Sequence, residues 1–428
     1  MLLENWLYTG ILHIKSIYCP PLENDLTCDC LVVGGGFAGL HAALRLADAG
    51  KEVVLLEKGI CGSGSSGKSA GMLTPNSEKD FDDLIGEYGF EEAKKIISMP
   101  YNGIKLIVDA IEKYNLDCDF RKHDSLYLAS SKTGERYLDH EAEILKKLGF
   151  SFKMYDLKDL QKIHPNEYYK KALRYFGTHS INSLAYTQEL KNVLIKKGVK
   201  IYEGTEVHKI VGNKAITHLG SVKAGNILVC MDKMKEEFDR EISKKYYHVQ
   251  TFLTVSEPLS KKELKSLFPQ DNFMCWDDAL LYMYYRIIGE HRLLLGGASY
   301  LTTYYPKFYN SSSAIEKVVA KFKKRFPALS HIDFTHYWPG LIDVTKDLTP
   351  IADYDLKNKS IQYTLGCAGL PWATFCGDYV ARRVLDKNTE DLSKYLGMHR
   401  TFPISDALQK ILGKFISFGL SHLRIMTG

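Results

Sequence analysis

Residues Cys30–Lys58 read CLVVGGGFAGLHAALRLADAGKEVVLLEK. An apolar run from Leu31 to Val33 stops at three glycines. Apolar residues then recur at helical spacing from Leu40 to Ala47, Gly50 closes the helix, and a second apolar run follows from Val53 to Leu56. This order predicts strand, tight turn, helix and strand. Gly34, Gly36 and Gly39 have the G-x-G-x-x-G spacing: one glycine for the turn, one for close approach of a pyrophosphate, one for packing helix on strand. The helix N-terminus then offers unpaired N–H groups and partial positive charge to an anion. Glu57 ends the second strand, where a carboxylate can accept ribose hydroxyls. Gly35, Phe37, Ala38 and Lys58 flank these positions and complete the expected dinucleotide contact set.

Outward from that unit, the chain has 428 residues, 45% of them hydrophobic and 25% charged, the balance of a soluble globular protein with a sizeable core. The net charge of +5 and the absence of a basic run interleaved with aromatics argue against nucleic acid as a partner. Nine scattered cysteines without C-x-x-C spacing suggest neither a zinc site nor a disulfide framework, so no metal is expected and a reducing, cytoplasmic compartment fits. The first residues carry Glu4 and no clean apolar stretch of signal-peptide type.

After Lys58, GICGSGSSGKSAGMLTPNS is rich in glycine and serine. Small residues let main-chain N–H groups reach a cofactor, so this stretch reads as a ligand loop. Phe90 to Tyr114 and residues 140 to 150 keep helical spacing, and SLYLAS around Leu126 alternates as a strand does. Tyr186 to Gly198 reads as a helix leading into a strand. Tyr247–Pro258, Leu280–Arg286 and Arg292–Gly297 read as long strands of an antiparallel sheet with one face to a cavity. Near the end, Ile361–Leu365 is a strand, and Gly366-Cys-Ala-Gly369 opens a helix to about Leu385, a second helix N-terminus available to the cofactor. The expected class is α/β: a Rossmann-like nucleotide-binding domain (27–105, 165–235, 335–390) interleaved with an α+β substrate domain (106–164, 236–334). An N-terminal extension (1–26) and a C-terminal helical tail (391–428) complete it.

GGGFAG, Glu57, SAGML at 69–73, GVKIYEGTEV at 198–207, WPGLIDVTKDLTPIAD from Trp338 and GCAG at 366 occur here in one order. The series resembles the FAD-dependent amine and amino-acid oxidase family, and looks most like its gamma-glutamylputrescine oxidoreductase and glycine oxidase branches. The resemblance, covering roughly 28 to 390, implies noncovalent FAD. It places main-chain contacts at Ser65, Ser66, Gly71 and Met72, the adenosine half near Val207, and the flavin's pyrimidine end against Gly366, Cys367, Ala368, Gly369, Leu370 and Pro371. It also implies oxidation of a small-molecule amine's CH–NH bond by hydride transfer to flavin N5, with imine hydrolysis and electrons passing to O2. The alternatives are a dehydrogenase using a quinone or protein acceptor, or a non-catalytic FAD-binding assembly factor. The family's carboxylate-binding arginine aligns with Ile342. A flavin-linking cysteine, a carboxylate-binding lysine and an oxygen-activating lysine found in relatives align with Gly340, Ala373 and Leu294. Both known kinds of α-carboxylate clamp are therefore missing.

Flavin oxidation of an amine needs orientation in a dry pocket more than an acid–base residue. Tyr282, Tyr284 and Arg286 alternate on one strand and share a face. They are candidates to line the substrate pocket, with Arg286 meeting an acidic substrate group or Asp277 or Asp278; covering an outer sheet face is the alternative. Trp372 is a candidate pocket wall. Lys68 is a candidate phosphate or flavin contact, while Trp338, His179 and His336 are expected to be structural. In the last segment, Asp406, Lys410, Lys414, Ser417, Ser421 and Arg424 form a narrow polar stripe on a wide apolar helix. Its apolar face is expected to dock on the protein itself, with peripheral membrane contact as the alternative.

Overall fold

A computed structural model of the chain describes residues 1–75, 79–279, 281–299, 310–386 and 388–427, with side chains left undescribed at 10, 11, 299 and 421–427. The CLVV stretch forms the end of a strand, Leu26–Val33; GGG makes the turn; Phe37–Asp48 is the helix and Val53–Leu56 the second strand. All four residues of the second strand are buried, as expected for a parallel strand covered on both faces.

Two large sheets organise the described residues. In the first, Lys200–Tyr202, Val53–Leu56, Leu26–Val33, Ser221–Val229 and Ile361–Leu365 run parallel in that spatial order. Ile351–Tyr354 adds antiparallel at one edge, and the hairpin Lys209–Val211 and Lys214–Ile216 extends the start of Ser221–Val229. Helices Phe37–Asp48, Ser183–Lys196, Phe90–Tyr114 and Leu370–Leu385 share the apolar core on one face of this sheet. They approach closely where glycine permits. A Cβ on Gly377 would lie 2.0 Å from the Ala38 carbonyl, and one on Gly103 2.0 Å from that of Pro371.

The second sheet has nine strands, in the order Leu2–Leu3, Phe334–Thr345, Tyr246–Pro258, Arg292–Ser299, Leu281–Ile288, Met274–Asp277, Ser125–Ala129, Lys171–Tyr175 and Phe152–Tyr155. It is antiparallel except where Leu2–Leu3 joins Phe334–Thr345 and Met274–Asp277 joins Ser125–Ala129. Alternation along Leu281–Ile288 sends Met283, Tyr285 and Ile287 into a core with Phe322 and Phe326. Tyr284 and Ile288 go to the other side, against Leu184, Leu294 and Trp338.

Two segments assigned from sequence to the nucleotide domain belong to this second sheet: Lys171–Tyr175 pairs with Ser125–Ala129, and Phe334–Thr345 pairs along most of Tyr246–Pro258. Short apolar runs do not encode their neighbours, so the domain boundary could not be drawn there from pattern alone. No helix among the described residues is long and apolar enough to cross a membrane.

The C-terminal segment is fastened to the turn after Phe334–Thr345. Arg400 makes a bidentate pair with Asp347 (both 2.7 Å), and Asp406 accepts from Lys346 (2.8 Å) and Lys245 (2.9 Å). The last helix, Asp406–Thr427, is broken at Gly413 (φ 77°). Its orientation reverses the sequence expectation. Asp406, Gln409 and Ser417 face the protein, and Lys414 donates to the Ser243 carbonyl (3.1 Å). Leu408, Ile411, Phe415, Ile416 and Leu420 are exposed; of the described apolar residues beyond Gly413, Phe418 is the one that is buried. Asp406 and Lys414 of the polar stripe are held because the surface beneath offers lysines and a carbonyl, while Lys410 is exposed. Ser421 and Arg424 lie outside the described residues.

Candidate functional site

The parallel strands Leu26–Val33 and Val53–Leu56 end together at the glycine turn. Leu26–Val33 continues to a neighbour on one side, Val53–Leu56, while Ser221–Val229 joins on the other, so the strand order switches beside the glycine turn, the position where open α/β sheets bind ligands. Gly34 donates to the Leu56 carbonyl (2.8 Å) at φ 110°, and a Cβ there would lie 2.3 Å from the Cys230 carbonyl. A Cβ on Gly39 would lie 1.9 Å from the Gly34 carbonyl. Gly36 is extended and supplies no side-chain cap to helix Phe37–Asp48. The Phe37 amide finds the Ser66 hydroxyl (3.1 Å), and Ala38 and Gly39 have no carbonyl four residues back within the helix. Glu57 accepts the Gly35 amide on one carboxylate oxygen (2.7 Å) and that of Gly59 on the other (2.8 Å). Each oxygen keeps a lone pair for a hydroxyl. Lys58 is exposed beside it.

The loop after Glu57 is held from outside. Four successive carbonyls accept from four distant side chains: Gly67 from Asn5 (2.9 Å), Lys68 from Trp338 (3.1 Å), Ser69 from Ser183 (3.4 Å) and Ala70 from Arg286 (2.6 Å). Gly71 turns the chain at φ 68°, where a Cβ would lie 1.9 Å from the Ile181 carbonyl, and Met72–Leu73 pairs with His179–Ser180. Burial and the neighbouring Lys233 both lower the pKa of Lys68, so two cations meet beside the loop.

Tyr282, Tyr284 and Arg286 do share a face, and it is the face turned to this loop. Tyr282 and Tyr284 stack at 6.3 Å. Arg286 corrects the expectation from sequence. Besides Ala70 it donates to the Ile181 carbonyl (2.6 Å) and the Ser180 hydroxyl (3.1 Å), while Asp277 pairs with Lys321 and Arg325, and Asp278 accepts from Ser130. Fully buried, Arg286 has its pKa lowered to about 9 by desolvation. It is an anchor for the loop. Trp372, expected as a pocket wall, is buried in the core shared by the helices, because it falls on the inner side of its helix.

The second helix N-terminus, at Gly369 (φ 102°), also lacks a side-chain cap. Gly366 (φ 63°) begins its turn against Thr345; Ala368 and Leu370 are buried, Cys367 is half-buried, and Pro371 packs on Gly103. Ile342 is half-buried with Tyr247, Val249, Val344, Ala368 and Phe418. Leu294 is buried in the apolar cluster with Trp338 and Leu253. Gly340 is mid-strand opposite Thr251, and the Val207 side chain is core. His179 packs edge-on to Phe120, and His336 bonds to Thr335 (2.9 Å).

A group that sequence reading missed lies where the sheets meet. Ser65 Oγ donates to the Leu341 carbonyl (2.8 Å) and meets a carboxylate oxygen of Asp232. The other Asp232 oxygen accepts the Asp343 amide (3.0 Å). Asp343 accepts from the Lys233 amide (2.7 Å) and contacts His248 Nδ1 (2.5 Å). Burial, then the nearby Asp232, raise the Asp343 carboxyl to about 7 against the pull of His248. The one available signal was an acid in the middle of an otherwise apolar strand, WPGLIDV.

These features fit FAD. An uncapped helix N-terminus, paired lysines and a ligand loop suit a diphosphate, Glu57 suits a ribose, and the second uncapped helix suits a polar flavin edge.

The sequence profile described as FAD dependent oxidoreductase matches residues 29–383. Gamma-glutamylputrescine oxidoreductase of Escherichia coli is 28% identical over 354 residues, 81% of each chain. A probable oxidoreductase, OrdL, of Haemophilus influenzae is 28% identical over 360 residues, 79% of this chain and 80% of that protein. Among solved structures, glycine oxidase from Geobacillus kaustophilus superposes with a TM-score of 0.76 at 18% identity, over 88% of this chain and all of that one. With the matched profile covering residues 29–383, strands of both sheets included, the chain belongs to the FAD dependent oxidoreductase family.

Proposed function

We propose that the protein oxidises the carbon–nitrogen bond of a small amine or amino acid to an imine, which water hydrolyses, with O2 as final electron acceptor. The observation that carries the reading is the loop of Gly67–Ala70: Trp338 and Arg286 of the second sheet hold two of its carbonyls, so the loop that follows the nucleotide unit of the first sheet is tied to the strand that carries Tyr282 and Tyr284. Relatives named for gamma-glutamylputrescine and glycine point to nitrogen compounds as the substrate class.

FAD, bound noncovalently, would supply the two-electron acceptor. Gly34–Gly39, Ser65, Ser66 and Lys68 would hold its diphosphate, Glu57 its adenosine ribose, and the Gly366–Pro371 turn its pyrimidine edge. The first-turn amides after Gly369 stabilise negative charge at that edge. Arg286 and Trp338 fix the loop, and the apolar side chains of Leu294 and Ile342 exclude water. With isoleucine at position 342, nothing there demands an α-carboxylate. Anaerobic titration of the FAD-loaded protein with polyamines, N-methyl amino acids and D-amino acids tests the reading: one class should bleach the flavin band, and failure of every class would reject it.

A second reading is a dehydrogenase using another acceptor. Leu294 favours it, since it puts an aliphatic side chain where a cation would otherwise attract O2 reduction. Slow reoxidation of the bleached flavin in air, with fast reoxidation by a quinone, would select it.

A further inference from the structure

The face of the second sheet that carries Tyr284 continues beyond it as a row of rings. Trp276 lies opposite Tyr284 on the adjacent strand and opposite Tyr127 on the strand after that. Its ring packs 5.6 Å from both Tyr127 and Tyr175, and Tyr127 meets Tyr137 edge-on at 5.9 Å. Tyr284, Trp276 and Tyr127 keep exposed surface although their strands are flanked on both sides. Helix Lys132–Leu148 covers the far end of this row. Between its core residues Leu138 and Leu145, where packing alone would call for another aliphatic side chain, stands Glu141. It is 8% exposed, one oxygen accepts from the Tyr175 hydroxyl, and the other, Oε2, has no hydrogen-bond partner. Since Tyr175 stacks on Trp276, that oxygen lies one ring away from the row. Half-buried Asp80 accepts from the Tyr137 hydroxyl (2.9 Å). The charges acting on the two carboxyls are acids: Asp80 on Glu141, and Asp82 and Asp83 on Asp80. Burial raises both, Glu141 to about 7.

We propose that Glu141, with Asp80 beside it, forms a subsite for a second, distal ammonium group of the substrate. The proposal rests on the amine reading above and narrows it to amines that carry two cationic nitrogens. An ammonium brings three donors and no acceptor, which suits the unpartnered Oε2 of Glu141 and the carboxylate of Asp80. Tyr127, Tyr137 and Trp276 supply the ring faces that attract a cation. A substrate tail ending in a carboxylate would meet two acids and be repelled. Left unpaired in an apolar core, Glu141 costs stability; a bound cation returns its charge and supplies the missing partner. Tyr284 and Tyr127 stand two strand spacings apart, ~10 Å, so a substrate reacting beside Tyr284 reaches the subsite through an extended chain of a few carbons.

The test uses the full-length, FAD-loaded protein under anaerobic conditions. Calorimetric titration compares diaminobutane, diaminohexane and diaminooctane with butylamine, hexylamine and octylamine, while the flavin band is followed in parallel. At one or more lengths the diamine should bind at least ~10-fold more tightly than the monoamine of equal length. Glu141→Gln, which keeps an acceptor for the Tyr175 hydroxyl, should remove that ratio, and Asp80→Asn should reduce it. An unchanged flavin spectrum shows that a variant is folded; if Glu141→Gln loses its flavin, Asp80→Asn decides. Equal affinity of diamine and monoamine at every length overturns the proposal, as does a ratio unchanged in the folded variants. A diamine preference without bleaching upholds the subsite and counts against amine oxidation, so the two readings fail separately.

Discussion

Replacing Asp343 by Asn removes a buried titratable carboxyl at the junction of the two sheets while keeping an acceptor for the Lys233 amide. Asp343 is buried, beside Asp232, and its carboxyl rises from 3.8 to about 7. Ionising it inside the fold therefore costs about 4 kcal/mol more than in the unfolded chain. Because its pKa is raised, the folded chain holds a proton that the unfolded chain releases. The associated stability is full below about pH 4, falls as pH rises, and is lost once pH has passed about 7. About 2.5 kcal/mol of that loss falls between pH 5 and 8. Urea unfolding of the apoprotein, followed by circular dichroism at both pH values, should show a larger drop in the parent than in Asp343→Asn, since groups that do not touch Asp343 contribute alike to both. Stability curves that run parallel in the two proteins would refute the argument, and with it the claim that burial and Asp232 dominate over His248.

Other expectations follow from the same geometry. Arg286→Met strands the carbonyls of Ala70 and Ile181, each costing ~1–3 kcal/mol, so FAD affinity read by fluorescence titration should fall more than ten-fold while the far-ultraviolet spectrum persists. Gly39→Ala forces a Cβ to 1.9 Å from the Gly34 carbonyl, and the purified protein should carry no flavin; Gly36→Ala meets only the Ser66 side chain, at 2.9 Å, and should fold with weakened FAD. Arg400→Ala leaves Asp347 buried without its partner, a loss of ~3–5 kcal/mol, and limited proteolysis should then release the segment after about residue 390.

The nucleotide unit was legible because its determinants are local: a turn that only glycine can make, a helical period and a buried apolar strand lie within one stretch of 29 residues, Cys30–Lys58. The helix limits at Gly369 and Leu385 were legible for the same reason. What escaped depends on partners that sequence spacing does not name. The alternation of Tyr282, Tyr284 and Arg286 gave a shared face, yet Arg286 is held by backbone carbonyls, and any residue type carries those. Trp372 stands next to the flavin turn in sequence but points into the helix core. The last segment was legible as helix, but its single period ran straight through the break at Gly413. It could not say that Lys346 and Lys245 wait beneath Asp406. Asp232 and Asp343 are 111 residues apart, so nothing local announced their contact.

The loop of Gly67–Ala70 has a consequence for how the chain reaches its structure. Its four outer partners are 62, 270, 114 and 216 residues away, so the segment cannot take its shape until the first residues, the Ser183 helix and two strands of the second sheet are in place. Such distant closures form late. Refolding should therefore regain secondary structure well before it regains flavin binding. The competence to hold the cofactor would then report completion of the whole tertiary assembly.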